Sequence, residues 1–174
     1  PRSGVVGYGN VVGPRGSVTR FFLTQKDTGV LPITDPRMTR FMITLEQGVE
    51  LVWHAFDDME GGEIYVKKIP SMVITDIAKA TAPEATHNII GIRPGEKLHE
   101  QMIGTEDSYY TYEYREHFKI LPAIHNWGAC GQRIKDGVKV PEGFTYSSDN
   151  NKEWMSADQL RAWIHENRHK VGRI

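Results

Sequence analysis

The chain contains 174 residues with a net charge of −1, and 39% of its residues are hydrophobic, including four tryptophans. This composition favours a globular fold with a substantial core over intrinsic disorder. No run of apolar residues approaches the roughly 18 that a membrane helix needs, so no membrane segment is expected. A single cysteine argues against a disulfide framework and indicates a reducing compartment, which predicts a cytoplasmic protein. The first residue is Pro1 rather than Met, so we expect the true start to be missing.

Positive charge is concentrated in the first quarter of the chain. Residues 1–40 contain six basic side chains and two acidic ones. On a neutral protein this pattern indicates a local anion site rather than a nucleic-acid surface. Arginines that simply face water are the alternative, and the charge pattern leaves both open.

The first predicted elements are a strand at 4–7 and a glycine-rich loop at 8–17 that contains Asn10 and Arg15. Glycines allow backbone to approach a ligand, and an arginine guanidinium matches phosphate oxygens. Ser17 is a predicted N-cap, and the free N–H groups of the helix it begins would also attract an anion. An ordinary glycine-rich turn is the alternative interpretation.

A short extended segment is predicted at 31–34, and two arginines, Arg37 and Arg40, follow it. These arginines either bind an anion or are solvated. A helix is predicted from 44 to 59, followed by a strand at 63–66. Apolar residues recur in this helix at steps of four and three, which predicts a single apolar face. The residues of that face are Leu45, Val49, Val52, Phe56 and Met59.

The middle of the chain continues the alternation of helices and strands. A helix is predicted at 75–82 with Thr75 as its cap, a strand at 88–92 and a short helix at 97–103. The alternation from residue 17 to 103 favours an α/β fold.

Arg93 and Glu96 flank Pro94-Gly95, which forces a turn between a strand end and the next segment. An arginine at such a rigid corner can pair with a phosphate, and the carboxylate can accept hydrogen bonds from a ribose diol. A salt bridge between the two side chains is the alternative.

The last third of the chain is less regular. A strand is predicted at 118–121, and a final helix from the cap Ser156 to about residue 169. The tyrosines at 109–114 have no basic residues interleaved with them, so packing is the preferred interpretation over base stacking. The seven histidines lack the spacing of known zinc motifs, so no metal site is expected.

Five motifs follow one another along the chain. They are Tyr-Gly-Asn-Val-Val-Gly-x-Arg-Gly-Ser at 8–17, Ile-Thr-Asp-x-Arg-Met-Thr-Arg-Phe at 33–41, Gly-Gly-Glu-Ile-Tyr-Val at 61–66, Lys-Ile-Pro-Ser-Met at 68–72 and Ile-Gly-Ile-Arg-Pro-Gly-Glu-Lys-Leu-His-Glu at 90–100. Together they resemble the C-terminal half of the UDP-N-acetylglucosamine 4,6-dehydratases, of the 5-inverting type that begins pseudaminic acid synthesis. The resemblance runs from about residue 4 to 165.

This resemblance implies an extended short-chain dehydrogenase/reductase. Such enzymes have a Rossmann-type α/β fold that binds NADP on an N-terminal half and the UDP-sugar mainly on a smaller C-terminal half. The implied chemistry removes hydride from C4, eliminates water across C5–C6 and returns hydride to C6 with inversion at C5. The implied product is a UDP-4-keto-6-deoxy-hexose.

The resemblance also implies roles for individual residues. Tyr8 and Val11 would line the nicotinamide, Arg40 and Arg93 would clamp the diphosphate, and Glu96 would hold the uridine ribose. The full set of implied substrate-binding residues is Asn10, Arg15, Gly16, Ser17, Val18, Arg40, Arg93 and Glu96.

Two features of the family are absent from these residues. The dinucleotide fingerprint of closely spaced glycines is not found, and Val12 stands where a Lys would have to follow Tyr8 in a Tyr-x-x-x-Lys pair. We therefore expect a UDP-sugar-binding portion of an NADP-dependent dehydratase that lacks the N-terminal dinucleotide-binding half and is inactive as this chain alone. The alternative is a non-enzymatic binding or assembly module derived from the family.

The expected partner is UDP-N-acetylglucosamine or a related UDP-sugar, with no nucleic acid. Strands that join the Rossmann sheet in the family would leave an exposed edge or apolar face here, so a homo-oligomer is also expected. Residues 1–150 are predicted to form the nucleotide-sugar-binding portion, and residues 151–174 the C-terminal helix and tail.

Overall fold

The computed structural model describes residues 2–13, 16–123 and 131–167, which form two compact units. Unit 1 contains Pro1–Tyr8, Leu45–Lys68 and Gln101–Ser147, and unit 2 contains Gly9–Thr44, Ile69–Glu100 and Ser148–Ile174. Each unit is therefore assembled from three separate stretches of sequence. The division predicted at residue 150 stays a prediction.

Helices and strands alternate along most of the chain. The helices are α1 (Val18–Gln25), α2 (Leu45–Asp58), α3 (Ile74–Thr81), α4 (Gly131–Ile134) and α5 (Ala157–Glu166), with 3-10 turns at Lys26–Thr28 and Glu106–Tyr110. The strands are β1 (Val5–Gly7), β2 (Asn10–Val11), β3 (Val30–Ile33), β4 (Thr39–Ile43), β5 (Ile64–Lys67), β6 (Ser71–Val73), β7 (Thr86–Ile89), β8 (Gln101–Ile103), β9 (Thr111–Glu113), β10 (His117–Ile120), β11 (Val138–Lys139) and β12 (Tyr146–Ser147). None of the helices in the described ranges is long and apolar enough to cross a membrane.

Unit 1 contains a five-stranded sheet in the order β1-β5-β10-β9-β11. Strand β1 pairs parallel with β5, and the other neighbours are antiparallel. Strands β8 and β12 form a separate antiparallel pair. Helix α2 precedes β5, and its residues Leu51 and Ala55 pack with Tyr65 of that strand.

Unit 2 contains two small sheets, β2-β4-β6 and the parallel pair β3-β7, together with α1, α3 and α5. Its core includes Phe22 of α1, Ile33 of β3, Ile77 of α3 and Leu160 of α5, all at most 2% exposed. Helix α5 begins at the predicted cap Ser156, which forms a capping box with Gln159. The mixed α/β class predicted from the sequence is confirmed.

Helix α2 is confirmed, but its predicted face is not the buried one. Leu45 is 60% and Phe56 is 61% exposed, whereas the buried residues of this helix are Gly48, Leu51 and Ala55. Two of these three are small, which allows the helix to pack closely in unit 1. Spacing alone could not identify the inner face, because this helix is apolar on two sides.

Two further local predictions are wrong. The helix expected at 97–103 is absent, and β8 takes the end of that range because Ile103 pairs with Tyr146 of β12. Helix α3 begins at Ile74, one residue before the expected cap Thr75. Its first N–H donates to the carbonyl of Met38 at 2.8 Å, so a backbone partner replaces a side-chain cap.

Candidate functional site

A cleft of about 470 Å³ in unit 2 collects most of the predicted substrate-binding residues. Gly16 and Val18 reach it from the start of α1, and Arg40 reaches it from β4. Arg93 and Glu96 come from the loop that follows β7. Residues separated by as many as eighty positions in the sequence therefore line one cavity.

The start of α1 is organised by its cap. The Ser17 hydroxyl oxygen accepts a hydrogen bond from the N–H of Arg20 at 3.3 Å, as the sequence predicts. The helix has no acidic residue in its first turn, so nothing there opposes an anion. Arg15, also predicted to bind the substrate, lies outside the described residues.

The corner at 93–96 is a tight turn held by two hydrogen bonds. The Glu96 N–H donates to the Arg93 carbonyl at 3.1 Å, and the Arg93 N–H donates to Glu96 Oε2 at 3.0 Å. Gly95 has a φ of +85°, which an L side chain rarely adopts. The carboxylate thus binds backbone, and the salt bridge considered as an alternative is not formed between these two side chains.

Arg93 and Arg37 differ in what their guanidinium groups contact. Arg37 Nη2 lies 2.7 Å from the carboxylate of Asp35, and hydrogen bonding from this arginine lowers the pKa of Asp35 to about 2. Among the described residues, no hydrogen bond or ion pair engages the Arg93 guanidinium. The planar group of Arg93 is therefore available for an anion.

Arg40 lines the cleft, but its donors are used by the protein. Its Nη1 donates to the carbonyls of Thr39 and Leu98 at 2.6 and 3.1 Å, and its Nη2 donates to that of Lys97 at 3.0 Å. Burial lowers the pKa of Arg40, and the negative charge of Glu100 opposes this shift. Its predicted role as a diphosphate clamp stays a prediction.

The remaining predicted residues lie elsewhere. Asn10 and Val11 form β2, in register with Met42 and Ile43 of β4, and neither is among the described residues that line the cleft. Tyr8 belongs to unit 1, where its ring lies beside Gly48 of α2. The predicted cofactor-binding roles of Tyr8 and Val11 stay predictions.

The cleft also has an apolar wall, which the sequence motifs do not predict. Phe21 is 45% and Ile90 is 42% exposed, and both line the cavity beside the Arg93 corner. A signal was present, because adjacent residues in a helix point about 100° apart and Phe21 and Phe22 cannot both face the core. Phe22 is buried and Phe21 is left at the cleft.

The arrangement suits an anion attached to a flat or hydroxylated group. Arg93 supplies a cation, Glu96 an acceptor and Phe21 an apolar surface. In the part of the chain that the structure describes, no cluster of His, Cys, Asp and Glu could hold a metal ion.

Comparison with known proteins gives the family. The family described as "Polysaccharide biosynthesis protein" matches residues 2–122. The UDP-N-acetylglucosamine 4,6-dehydratase (inverting) of Campylobacter jejuni is 52% identical over 91% of this chain and 50% of its own length. A UDP-glucose 4-epimerase of Rickettsia conorii is 39% identical over 85% of this chain and 45% of its own length.

A solved structure, that of Pen from Bacillus thuringiensis, has a TM-score of 0.77 and 29% identity to this chain, covering 95% of it and 49% of Pen. The chain spans about half the length of the curated relatives it matches. The motif resemblance to inverting UDP-N-acetylglucosamine 4,6-dehydratases is confirmed at the level of sequence identity. The chain belongs to the polysaccharide biosynthesis protein family.

Proposed function

We propose that this chain is the UDP-sugar-binding portion of a UDP-N-acetylglucosamine 4,6-dehydratase. The observation that carries the proposal is the Arg93–Glu96 corner, whose guanidinium has no partner among the described residues and which lies in a cleft with the start of α1. The 52% identity to an inverting dehydratase supports the choice of ligand. A cytoplasmic location belongs to the same proposal, because a single cysteine fits a reducing compartment.

The diphosphate, the ribose and a ring of a nucleoside diphosphate sugar each have a suitable counterpart in the cleft. The Arg93 guanidinium can hold two phosphate oxygens at once, and the N–H groups at the start of α1 favour negative charge. Glu96 can accept hydrogen bonds from a ribose diol with the oxygen that does not bind backbone. Phe21 and Ile90 offer an apolar surface to a ring.

The described residues do not fit the dinucleotide cofactor of the full-length family. Gly7 ends β1, Gly9 lies between β1 and β2, and Gly13 follows β2, so a strand rather than a helix comes directly after the first two glycines. A Cβ on Gly9 would collide with Phe41, so this glycine is required by packing. None of the seven tyrosines is followed four residues later by a lysine. We propose that NADP binding and the dehydration need residues outside this chain, and that the chain alone is inactive.

Titration calorimetry with UDP and with UDP-N-acetylglucosamine tests the proposal. We expect Arg93→Ala to weaken binding about tenfold or more, because a charge-assisted hydrogen bond is worth about 1.5–3 kcal/mol. Arg37→Ala is the control, because it removes a guanidinium that is already paired with Asp35. It should leave affinity within about twofold of wild type.

Two results would decide against the proposal. Absence of wild-type binding at millimolar nucleotide would favour the alternative, a non-enzymatic assembly module of the same family. Equal losses in Arg93→Ala and Arg37→Ala would mean that binding reflects overall charge rather than this corner.

The expected homo-oligomer has a testable surface. Leu45, Val49, Trp53 and Phe56 leave an exposed apolar stripe along α2, with Trp53 65% exposed. If a second copy covers this stripe, Trp53→Glu should shift sedimentation towards the monomer, because a charge cannot be buried there unpaired. Val138→Glu, at a residue 68% exposed on β11, is the matched control and should have no effect. A monomeric wild-type chain would contradict the prediction.

A further inference from the structure

The Arg93–Glu96 corner is part of a loop whose two ends are anchored in unit 2. At one end the Ile90 N–H donates to the carbonyl of Ile33 at 2.9 Å. At the other end the carbonyl of Leu98 accepts from the Thr39 N–H and from Arg40 Nη1, both at 3.1 Å. Residues 91–97 between these anchors are exposed and have no helix or strand. The position of the Arg93–Glu96 corner therefore depends on the two anchored ends of the loop.

The second anchor is completed by two buried hydroxyl groups. Ser148 is 0% exposed, and its Oγ accepts from the Glu100 N–H at 2.9 Å while its own N–H donates to the Glu100 carbonyl at 2.8 Å. Thr39 is 4% exposed, and its Oγ1 lies 2.6 Å from Ser148 Oγ and 2.8 Å from His99 Nδ1. We call this group the hydroxyl anchor.

The charged residues beside the hydroxyl anchor also form contacts that hold the end of the same loop. The Glu100 carboxylate accepts from the Phe41 N–H at 3.0 Å and lies 3.9 Å from Arg40 Nε. Arg40 in turn donates to the carbonyls of Lys97 and Leu98. Every residue from 97 to 100 is therefore held by β4 or by Ser148 through at least one hydrogen bond.

We propose that Thr39 and Ser148 are positioning residues, which fix the Arg93–Glu96 corner for nucleotide binding without touching the ligand. The inference rests on the proposed function, since it concerns the same cleft. An exposed loop freed at one end samples many conformations, and a ligand must then order it at the expense of affinity. Removing the Ser148 hydroxyl leaves the partly buried Glu100 N–H without its acceptor and takes one partner from Thr39 Oγ1, which loosens this end of the loop.

The test compares two buried serines. Ser148→Ala should weaken UDP binding about tenfold, because loss of preorganisation and an unsatisfied, partly buried N–H both act on this loop. Ser108→Ala is the matched control. Ser108 is 1% exposed in unit 1, donates to the carbonyl of Thr105 and accepts from the N–H of Gly143. Its loss should lower stability comparably and leave UDP affinity within about twofold of wild type.

Substitutions at Thr39 add a rescue experiment. Thr39→Val removes the hydroxyl and should weaken UDP binding, whereas Thr39→Ser keeps it and should retain wild-type affinity. Amide hydrogen exchange without nucleotide gives an independent readout. Ser148→Ala should accelerate exchange at Glu96 and Glu100 about tenfold, and Ser108→Ala should not.

The outcomes separate the two proposals. If the wild-type chain does not bind UDP, the proposed function fails, and exchange at Glu96 still decides whether the hydroxyl anchor positions the corner. If the wild type binds UDP and Ser148→Ala binds equally well, the positioning role is overturned. Unchanged exchange at Glu96 in Ser148→Ala overturns it as well.

Discussion

Asp58→Ala should lower the free energy of unfolding by about 3 to 5 kcal/mol, the range seen when one partner of a buried ion pair is removed. The Asp58 carboxylate forms an ion pair with Lys119, which is only 2% exposed, and accepts from Lys135 Nζ at 2.6 Å and Tyr65 Oη at 2.8 Å. These partners hold the pKa of Asp58 well below its usual range against the effect of burial. Without the carboxylate, the Lys119 ammonium is buried beside an unsatisfied phenol.

Urea unfolding followed by tryptophan fluorescence measures this change. Asp76→Ala is the control, because Asp76 is 38% exposed and its ion pair with Lys79 spans 3.5 Å at the surface. That substitution should cost less than about 1 kcal/mol. Lys135→Ala removes the exposed partner of Asp58 and should fall between the two. Similar midpoints for Asp58→Ala and Asp76→Ala would show that the buried pair does not stabilise unit 1.

Stability should fall by about 3 kcal/mol as the pH is lowered from about 6.5 to 4, because of His117. This side chain is 8% exposed, its ring stacks on Tyr114 at 4.6 Å, and its Nε2 has no hydrogen-bond partner in the described part of the chain. Burial, with His54 and Lys119 nearby, lowers the pKa of His117 to about 4. The unfolded chain therefore takes up a proton near pH 6.5 that the folded chain does not.

The direction of this change in stability follows from the lowered pKa of His117. Above about pH 6.5 the imidazole is neutral in both states and costs nothing, and the full penalty is reached below about pH 4. The lowered pKa of Asp58 adds a further loss of stability below about pH 4, where unfolded aspartates become protonated.

A non-titrating aromatic isolates the histidine contribution. His117→Phe should flatten the slope of unfolding free energy between pH 6.5 and 4, measured by urea unfolding at several pH values. His165→Gln is the control, since His165 is exposed on α5, and should keep the wild-type slope. A wild-type slope in His117→Phe would assign the acid sensitivity to other groups.

Much of the candidate site could be predicted because its signals are local. Pro94-Gly95 specifies a turn wherever it occurs, so the projection of Arg93 and Glu96 from one corner follows from four residues. Ser17 behaves as the cap that its position before α1 indicates. Local signals are not sufficient for Arg40. The sequence predicts a cation there, but it does not predict that the carbonyls of Lys97 and Leu98 accept hydrogen bonds from its guanidinium.

The helices and strands likewise divide into those specified by nearby residues and those that depend on distant ones. The helices α1, α2 and α5 were predicted from periodicity and caps, which depend on neighbours three or four residues away. Strand β8 and the inner face of α2 depend on residues far along the chain, and both were predicted wrongly. A segment with weak local preference takes the structure that satisfies its backbone hydrogen bonds in the fold.

The sequence by itself determined the α/β class, the family and the turn that carries Arg93 and Glu96, since each is encoded in motifs or short-range patterns. Only the tertiary structure decided that, of the two described arginines lining the cleft, Arg93 and not Arg40 has an unpaired guanidinium, and what holds the corner in place. The Thr39–Ser148 hydrogen bond joins residues 109 positions apart, and no local pattern specifies such a contact. It exists because burial of both hydroxyls requires each to find a partner.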